Sequence, residues 1–115
     1  AEALFHAPFV VVSQGIQADP IFNYGNQAAL QLWDTSWDKF TQTPSRLSAE
    51  TVNQATRAKM LAQVANQGYT SNYSGVRISS NGRRFLIEKT IIWNLTDELE
   101  NSCGQAATFP EWNFL

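Results

Sequence analysis

The pair Asn81-Gly82 stands between two runs that read as β-strands, and no other feature of the chain narrows the fold as far. Asn and Gly both tolerate the positive φ angles of a two-residue hairpin turn. Upstream, Tyr69 to Ser80 is rich in aromatic and β-branched residues, with Gly75 available as a bulge between Tyr73 and the Val76/Ile78 side. Downstream, Arg83 to Asp97 alternates. Phe85, Ile87, Ile91, Trp93 and Leu95 fall on one face, and Leu86, Glu88 and Ile92 on the other. A third strand, Cys103 to Phe109, follows the polar loop 97–102 and is ended by Pro110. The second half of the chain is therefore expected to be an antiparallel meander.

The first half supplies shorter elements. Phe9 to Ser13 is a β-branched run bounded by Pro8 and Gly15, and Ile21 to Gly25 is close enough to pair with it as a hairpin. Asn26 offers a side-chain oxygen to the free backbone N–H groups of a helix over Gln27 to Trp33, with Ala29, Leu30 and Trp33 as its buried stripe. A second helix over Trp37 to Phe40 has Ser36 as its cap and Pro44 as its stop. Thr51 and Gln54 have the spacing of a capping box for a helix running to about Asn66, with Met60, Leu61, Val64 and Ala65 as its apolar face. Gly68 supplies the left-handed residue that ends it. The order β-β, three helices, β-β-β fits one α+β domain over residues 1–115, a five-stranded antiparallel sheet with short helices on one face. That placement sets Leu30, Trp33, Leu61 and Val64 against Phe85, Ile87 and Ile91.

Composition removes several function classes. At 115 residues and 43% hydrophobic, the chain can bury a single core without a staple. Its longest apolar run, Ala7 to Val12, is far short of the roughly 20 residues that cross a bilayer, so no membrane partner is expected. Ala1-Glu2-Ala3 lacks the basic start of a secretory signal, and a cytoplasmic location is expected. Cys103 is the sole cysteine and His6 the sole histidine, which excludes an internal disulfide and leaves too few ligands for structural zinc. Residues 51–96 carry six bases against Glu88 alone, but the flanking segments are acidic and the net charge is −2. A domain that wraps phosphates is normally basic overall, so no direct nucleic-acid contact is expected.

Two resemblances enter on these residues. The element order, with Ile21-Phe22-Asn23-Tyr24-Gly25-Asn26 leading into the helix that Asn26 opens, resembles a PAS domain. More specifically, the chain resembles the MEKHLA domain, a PAS-related module that ends the class III homeodomain-leucine zipper transcription factors of plants and also stands alone in cyanobacteria and green algae. The segments carrying this are His6 to Val11, Ala18 to Asn26, Thr43 to Leu47 and Tyr73 to Ile78, with Thr108 to Leu115 similar to the aromatic end of the plant module. The chain has no homeodomain and no heptad run, so the resemblance does not carry DNA binding with it.

The PAS resemblance implies a small molecule held between sheet and helices but does not name it. The Asn-Cys-Arg-Phe-Leu-Gln motif of light-oxygen-voltage domains is absent, and Cys103 reads as a small buried residue on the last strand, which argues against covalent flavin chemistry. His6 precedes the first strand, which argues against haem ligation, and Asp34 and Asp38 read as a wet helix surface. The cofactor is left unassigned. Ligand-binding candidates are Lys89, Gln105, Trp33, Tyr73 and Trp93. Lys89 shares the inward register of Phe85 and Ile87, where a cation would seek an acid or an anionic ligand, unless a bulge turns it outward. Gln105 lies beside Gly104 and Ala106-Ala107, which leave room for a ligand, with cross-strand hydrogen bonding as the alternative. Trp33, Trp37, Phe40, Tyr69, Tyr73 and Trp93 are mostly core, with at most two at a ligand.

The terminal Trp112, Phe114 and Leu115 must cover something. They either fold over the outer face of the sheet, sharing it with Leu86 and Ile92, or meet a second copy in a two-fold homodimer. Three functions compete: a sensory and regulatory module for a small apolar or aromatic ligand, a ligand-free protein–protein interaction domain, and a small enzyme. The enzyme lacks an acid/base or nucleophile set, so no enzymatic activity is expected.

Overall fold

A computed structural model describes residues 2–115. Six strands form one antiparallel sheet: β1 (Val10–Gln14), β2 (Phe22–Gly25), β3 (Tyr69–Ile78), β4 (Arg84–Thr96), β5 (Ser102–Phe109) and β6 (Glu111–Phe114). The order across the sheet is β2-β1-β5-β4-β3, with β6 also on β4. Four helices accompany it: α1 (Glu2–Phe5), α2 (Gln27–Leu32), α3 (Trp37–Phe40) and α4 (Thr51–Gln67), with a 3-10 turn at Ser45–Ser48. The α+β architecture expected from the residues is present, with α1 and β6 as additions the sequence reading did not contain.

Local chemistry accounts for most boundaries. Ser36 caps α3 by accepting the Lys39 N–H at 3.2 Å. Asn26 does more than cap α2. It is fully buried, and its Oδ1 accepts the N–H groups of both Ala29 and Val11 at 3.1 Å, while its Nδ2 donates to the carbonyls of Phe9 at 2.8 Å and Leu4 at 3.2 Å. One side chain thus ties α2, β1 and the N-terminal segment together. The capping box expected at Thr51 does not form: Glu50 is the cap residue, its carboxylate is turned to Arg84 at 2.7 Å, and the Gln54 amide donates to Ala49 O. The hairpin after β3 also differs from a two-residue turn. Among Asn81 and Gly82 only Gly82 takes a positive φ, of 83°, and Ser79 N–H reaches Arg83 O across a longer loop.

The largest departure is a bulge in β4. Tyr73 pairs with Thr90 but Gly75 pairs with Ile87, so β4 spends Glu88 and Lys89 where β3 spends Ser74. Lys89 takes φ 55°, and the alternation flips there. Before it, Phe85 and Ile87 are buried; after it, Thr90 and Ile92 are buried, and Ile91 is 43% exposed instead of packing under the helices. The neighbour of β4 changes at the same place. Ile91 pairs with Thr108 of β5, Glu88 pairs with Glu111 of β6, and between them stands Pro110, which has no N–H to give to a ladder.

The core lies between the inner sheet face and the helices. Trp33 is its centre, in edge contact with Phe85 at 5.3 Å and Phe109 at 6.2 Å, while Phe22 and Phe40 stack at 4.2 Å beside it. The terminal aromatics join this side. Trp112 pairs with Ile87 and Phe114 with Phe85, so β6 directs both toward the helix layer, and Trp112 packs edge-on to Phe109. The expectation that the tail folds over the outer face is corrected by this pairing, which satisfies the part of β4 that β5 does not reach. Leu115 follows β6 and is largely exposed.

Candidate ligand cavity

Three amides from adjacent strands meet on the inner face. Register sets Gln14 of β1 opposite Gln105 of β5, and Gln105 opposite Asn94 of β4. Gln14 Nε2 donates to Gln105 Oε1 at 3.3 Å, and Gln105 Nε2 donates to Asn94 Oδ1 at 3.2 Å and to Leu61 O at 3.0 Å. Asn94 Nδ2 donates onward to the carbonyls of Val64 and Ala65. This row therefore hangs the second half of α4 from the sheet through side-chain amides. At its other end, Gln14 Oε1 accepts from the Ser45 hydroxyl and from Arg57 Nη2, the latter at 3.3 Å.

Beside the row is a cavity of about 50 Å³ between sheet and helices, enough for a few water-sized groups. Val12, Phe22, Leu61, Ile87, Ile92 and Phe109 supply apolar wall, and Gln14, Gln105, Ser48, Thr90, Trp33, Arg57 and Arg77 supply polar groups. No aspartate or glutamate lines it. Arg77 is only 6% exposed; its guanidinium donates to Val76 O at 2.9 Å and to the Tyr73 hydroxyl at 3.2 Å, and lies 5.6 Å from the Tyr73 ring centre. Arg57 is half-buried, and its pKa is pushed down to about 10, first by burial and then by the like charge of Arg77, with Tyr73 opposing. Arg57 remains a cation at neutral pH. Among the described residues the ion pairs lie elsewhere, at Arg46–Asp19, Arg84–Glu50 and Lys89–Glu111.

Two residues that line this cavity each carry a buried polar atom without a hydrogen-bond partner. The Thr90 hydroxyl, in a residue with 0% exposure, and the indole N–H of Trp33, 6% exposed, make no hydrogen bond. An unsatisfied buried donor is costly and rare. Both residues line the cavity, Trp33 from the end of α2 and Thr90 from β4.

Of the sequence candidates, the structure brings Gln105 and Trp33 to this cavity. Tyr73 stands behind Arg77 as its hydrogen-bond partner. Lys89 is corrected: the bulge turns it to solvent, where it pairs with Glu111 at 3.0 Å. The same flip puts Trp93, paired with Tyr69, in the outward register and Ile92, expected outside, on the cavity wall. Leu86 is half-buried in the outward register. Cys103 is exposed rather than buried, and His6 is exposed with its ring nitrogen 3.0 Å from the Gln27 side chain. Arg57 and Arg77 escaped the sequence reading. Arg77 has the same parity along its strand as Tyr73, and Arg57 stands one turn before Leu61 on the same helix face, so the signals were there. No helix among the described residues is long and apolar enough to cross a membrane.

The profile of the MEKHLA domain matches residues 1–114. The homeobox-leucine zipper protein ATHB-15 of Arabidopsis thaliana is 24% identical over 112 residues, which is 97% of this chain and 13% of that protein. ATHB-9 of the same plant is 26% identical over 98 residues, 85% of this chain and 12% of that protein. The chain therefore spans a small part of the length of these relatives. Among solved structures, the PAS domain of a protein from Colwellia psychrerythraea superposes with a TM-score of 0.78 at 16% identity, covering 93% of this chain and 88% of that one. A light-oxygen-voltage domain studied with a flavin analogue gives 0.76 at 16% identity, covering 99% and 82%. At that identity the likeness concerns the fold, which is that of a PAS domain. Matched along all but its last residue, the chain belongs to the MEKHLA domain family.

Proposed function

We propose that this chain is a sensory and regulatory module that takes a small molecule into the cavity between α4 and the sheet and reports its presence through the Gln14–Gln105–Asn94 row. The observation that carries the reading is the pairing of unsatisfied donors on the cavity wall with an amide row that ends on α4 carbonyls. A ligand that competes for Gln105 or Arg57 alters hydrogen bonds that hold α4, so occupancy becomes a change in helix anchoring. Native mass spectrometry of the purified chain, compared with the denatured mass, tests this. A retained small-molecule adduct is expected, and it should be lost in Thr90→Val with Gln105→Leu. An adduct that survives in the double variant would place binding elsewhere.

A second reading is self-association, and a specific observation favours it. The outward register leaves Ile91 and Tyr69 exposed and Trp93, Leu86 and Leu95 half-buried on a sheet face with no helix over it. Apolar area of that kind is commonly taken up by a partner, and a two-fold pair offers each copy the same patch. Light scattering at tens of micromolar is expected to give a dimer that Trp93→Glu dissociates. A monomeric wild type would remove this reading and leave the ligand reading untouched.

A further inference from the structure

From the donor groups of the cavity we infer that its ligand is a small organic carboxylate whose oxygens meet Arg77, Arg57, Thr90 and Trp33 and whose carbon body lies against the apolar wall. The inference rests on the sensory reading above and narrows it to one ligand class. Arg77 is buried and Arg57 half-buried, and among the described residues neither is paired with an acid. A guanidinium has donors only, and so does an indole N–H. With the Thr90 hydroxyl, the free hydrogen-bonding capacity of this wall is therefore dominated by donors, and a ligand that fits must bring acceptors and negative charge. Isolated charge in an apolar interior is unfavourable, and an anion relieves two cations at once.

Size and wall chemistry select among anions. A space of about 50 Å³ holds a carboxylate group and its first carbons, so a longer chain or a ring has to extend beyond it. Ile87, Ile92 and Phe109 would leave a fully hydrated oxyanion without partners on that side, but they suit carbon. Gln14, Arg57, Leu61 and Gln105 also line a neighbouring surface groove of about 340 Å³, which gives a larger carbon body an exit.

The test is a titration of the ¹⁵N-labelled chain with sodium acetate, butyrate and benzoate, each beside its neutral amide, with sodium phosphate as the bare oxyanion. The Trp33 indole N–H, assigned with Trp33→Phe, is the reporter. Butyrate or benzoate is expected to move that signal saturably, at least tenfold more tightly than its amide. Arg77→Gln is expected to weaken binding at least tenfold, and Arg77→Lys to recover part of it; the lysine variant also covers the case in which the glutamine variant fails to fold. Amides that bind as tightly as acids, with the Trp33 signal moving, would overturn the carboxylate assignment and keep the cavity reading. Phosphate binding as tightly as butyrate would overturn the apolar part. A Trp33 signal that none of these compounds moves would overturn the carboxylate proposal, and an adduct seen in native mass spectrometry would then show that the sensory reading survives it.

Discussion

Removing the Asn26 side chain should destabilise the fold well beyond the loss of a helix cap. The cap itself, the bond from Ala29 N–H, contributes about 1 kcal/mol. Asn26→Ala also strips partners from Val11 N–H and Phe9 O, and each such group left beside a buried side chain costs roughly 1 kcal/mol or more. The Leu4 carbonyl belongs to an exposed residue and can turn to water, so it adds little. The sum is about 3 kcal/mol, which with a urea slope of about 1.5–2 kcal/mol per molar lowers the midpoint by roughly 1.5–2 M. Ser36→Ala is the internal control, because Ser36 makes a single exposed cap bond and should cost only about 0.5–1 kcal/mol. Asn26→Asp should fare little better than alanine. It keeps an acceptor for the N–H groups of Ala29 and Val11 but sets a carboxylate oxygen against the carbonyls of Phe9 and Leu4. Equal midpoints for Asn26→Ala and Ser36→Ala would refute the role of Asn26 as a hub.

Other substitutions follow from equally local geometry. Gly104 has φ 132°, and a Cβ there would stand 1.9 Å from Gln14 O, so Gly104→Ala should lose about 3 kcal/mol or more, or fail to fold, as read by circular dichroism and urea unfolding. Arg57→Met should stabilise the ligand-free chain by on the order of 1 kcal/mol in urea, because it removes a desolvated cation that has no acidic partner; the partial exposure of Arg57 keeps the figure small. Asp97 is held below the usual carboxylate range chiefly by the Asn101 N–H, against a desolvation effect, with help from the Asn101 side chain and Leu99 N–H. Its folded-state affinity for a proton is lowered, so the turn is intact at neutral pH and fades as acid titrates that carboxylate; amide shifts of Leu99 and Asn101 should follow one acid-side titration, which Asp97→Ala removes.

Much of the fold was legible because local chemistry and tertiary packing agree in it. Asn26, Ser36 and Gly68 mark helix ends by side-chain or backbone properties that act within a few residues, and α2, α3 and the end of α4 follow them. The alternation in β4 was read correctly as far as Ile87. It misled beyond Lys89 because a bulge is decided by pairing across strands: β4 sets two residues, Glu88 and Lys89, against the single Ser74 of β3. That one-residue shift exchanged Ile92 for Ile91 and carried Lys89 and Trp93 to the outer side. The cavity was half legible for the same reason. Gln105 stands out on its strand by its small neighbours, whereas Arg77 and Arg57 resemble any surface arginine until β3 and α4 close on each other. Glu50 shows the converse case: it stands at the cap position, ion-paired to Arg84, where the sequence spelled out a capping box one residue later.

The central claim is that occupancy of the cavity reaches α4 through Gln105. Hydrogen exchange of the last two turns of α4, near the carbonyls of Leu61, Val64 and Ala65, measures it directly. With saturating butyrate or benzoate, exchange there is expected to change by fivefold or more in the wild type and to be unresponsive in Gln105→Leu. Unchanged exchange over 61–67 while the Trp33 indole signal reports a bound carboxylate would contradict the claim.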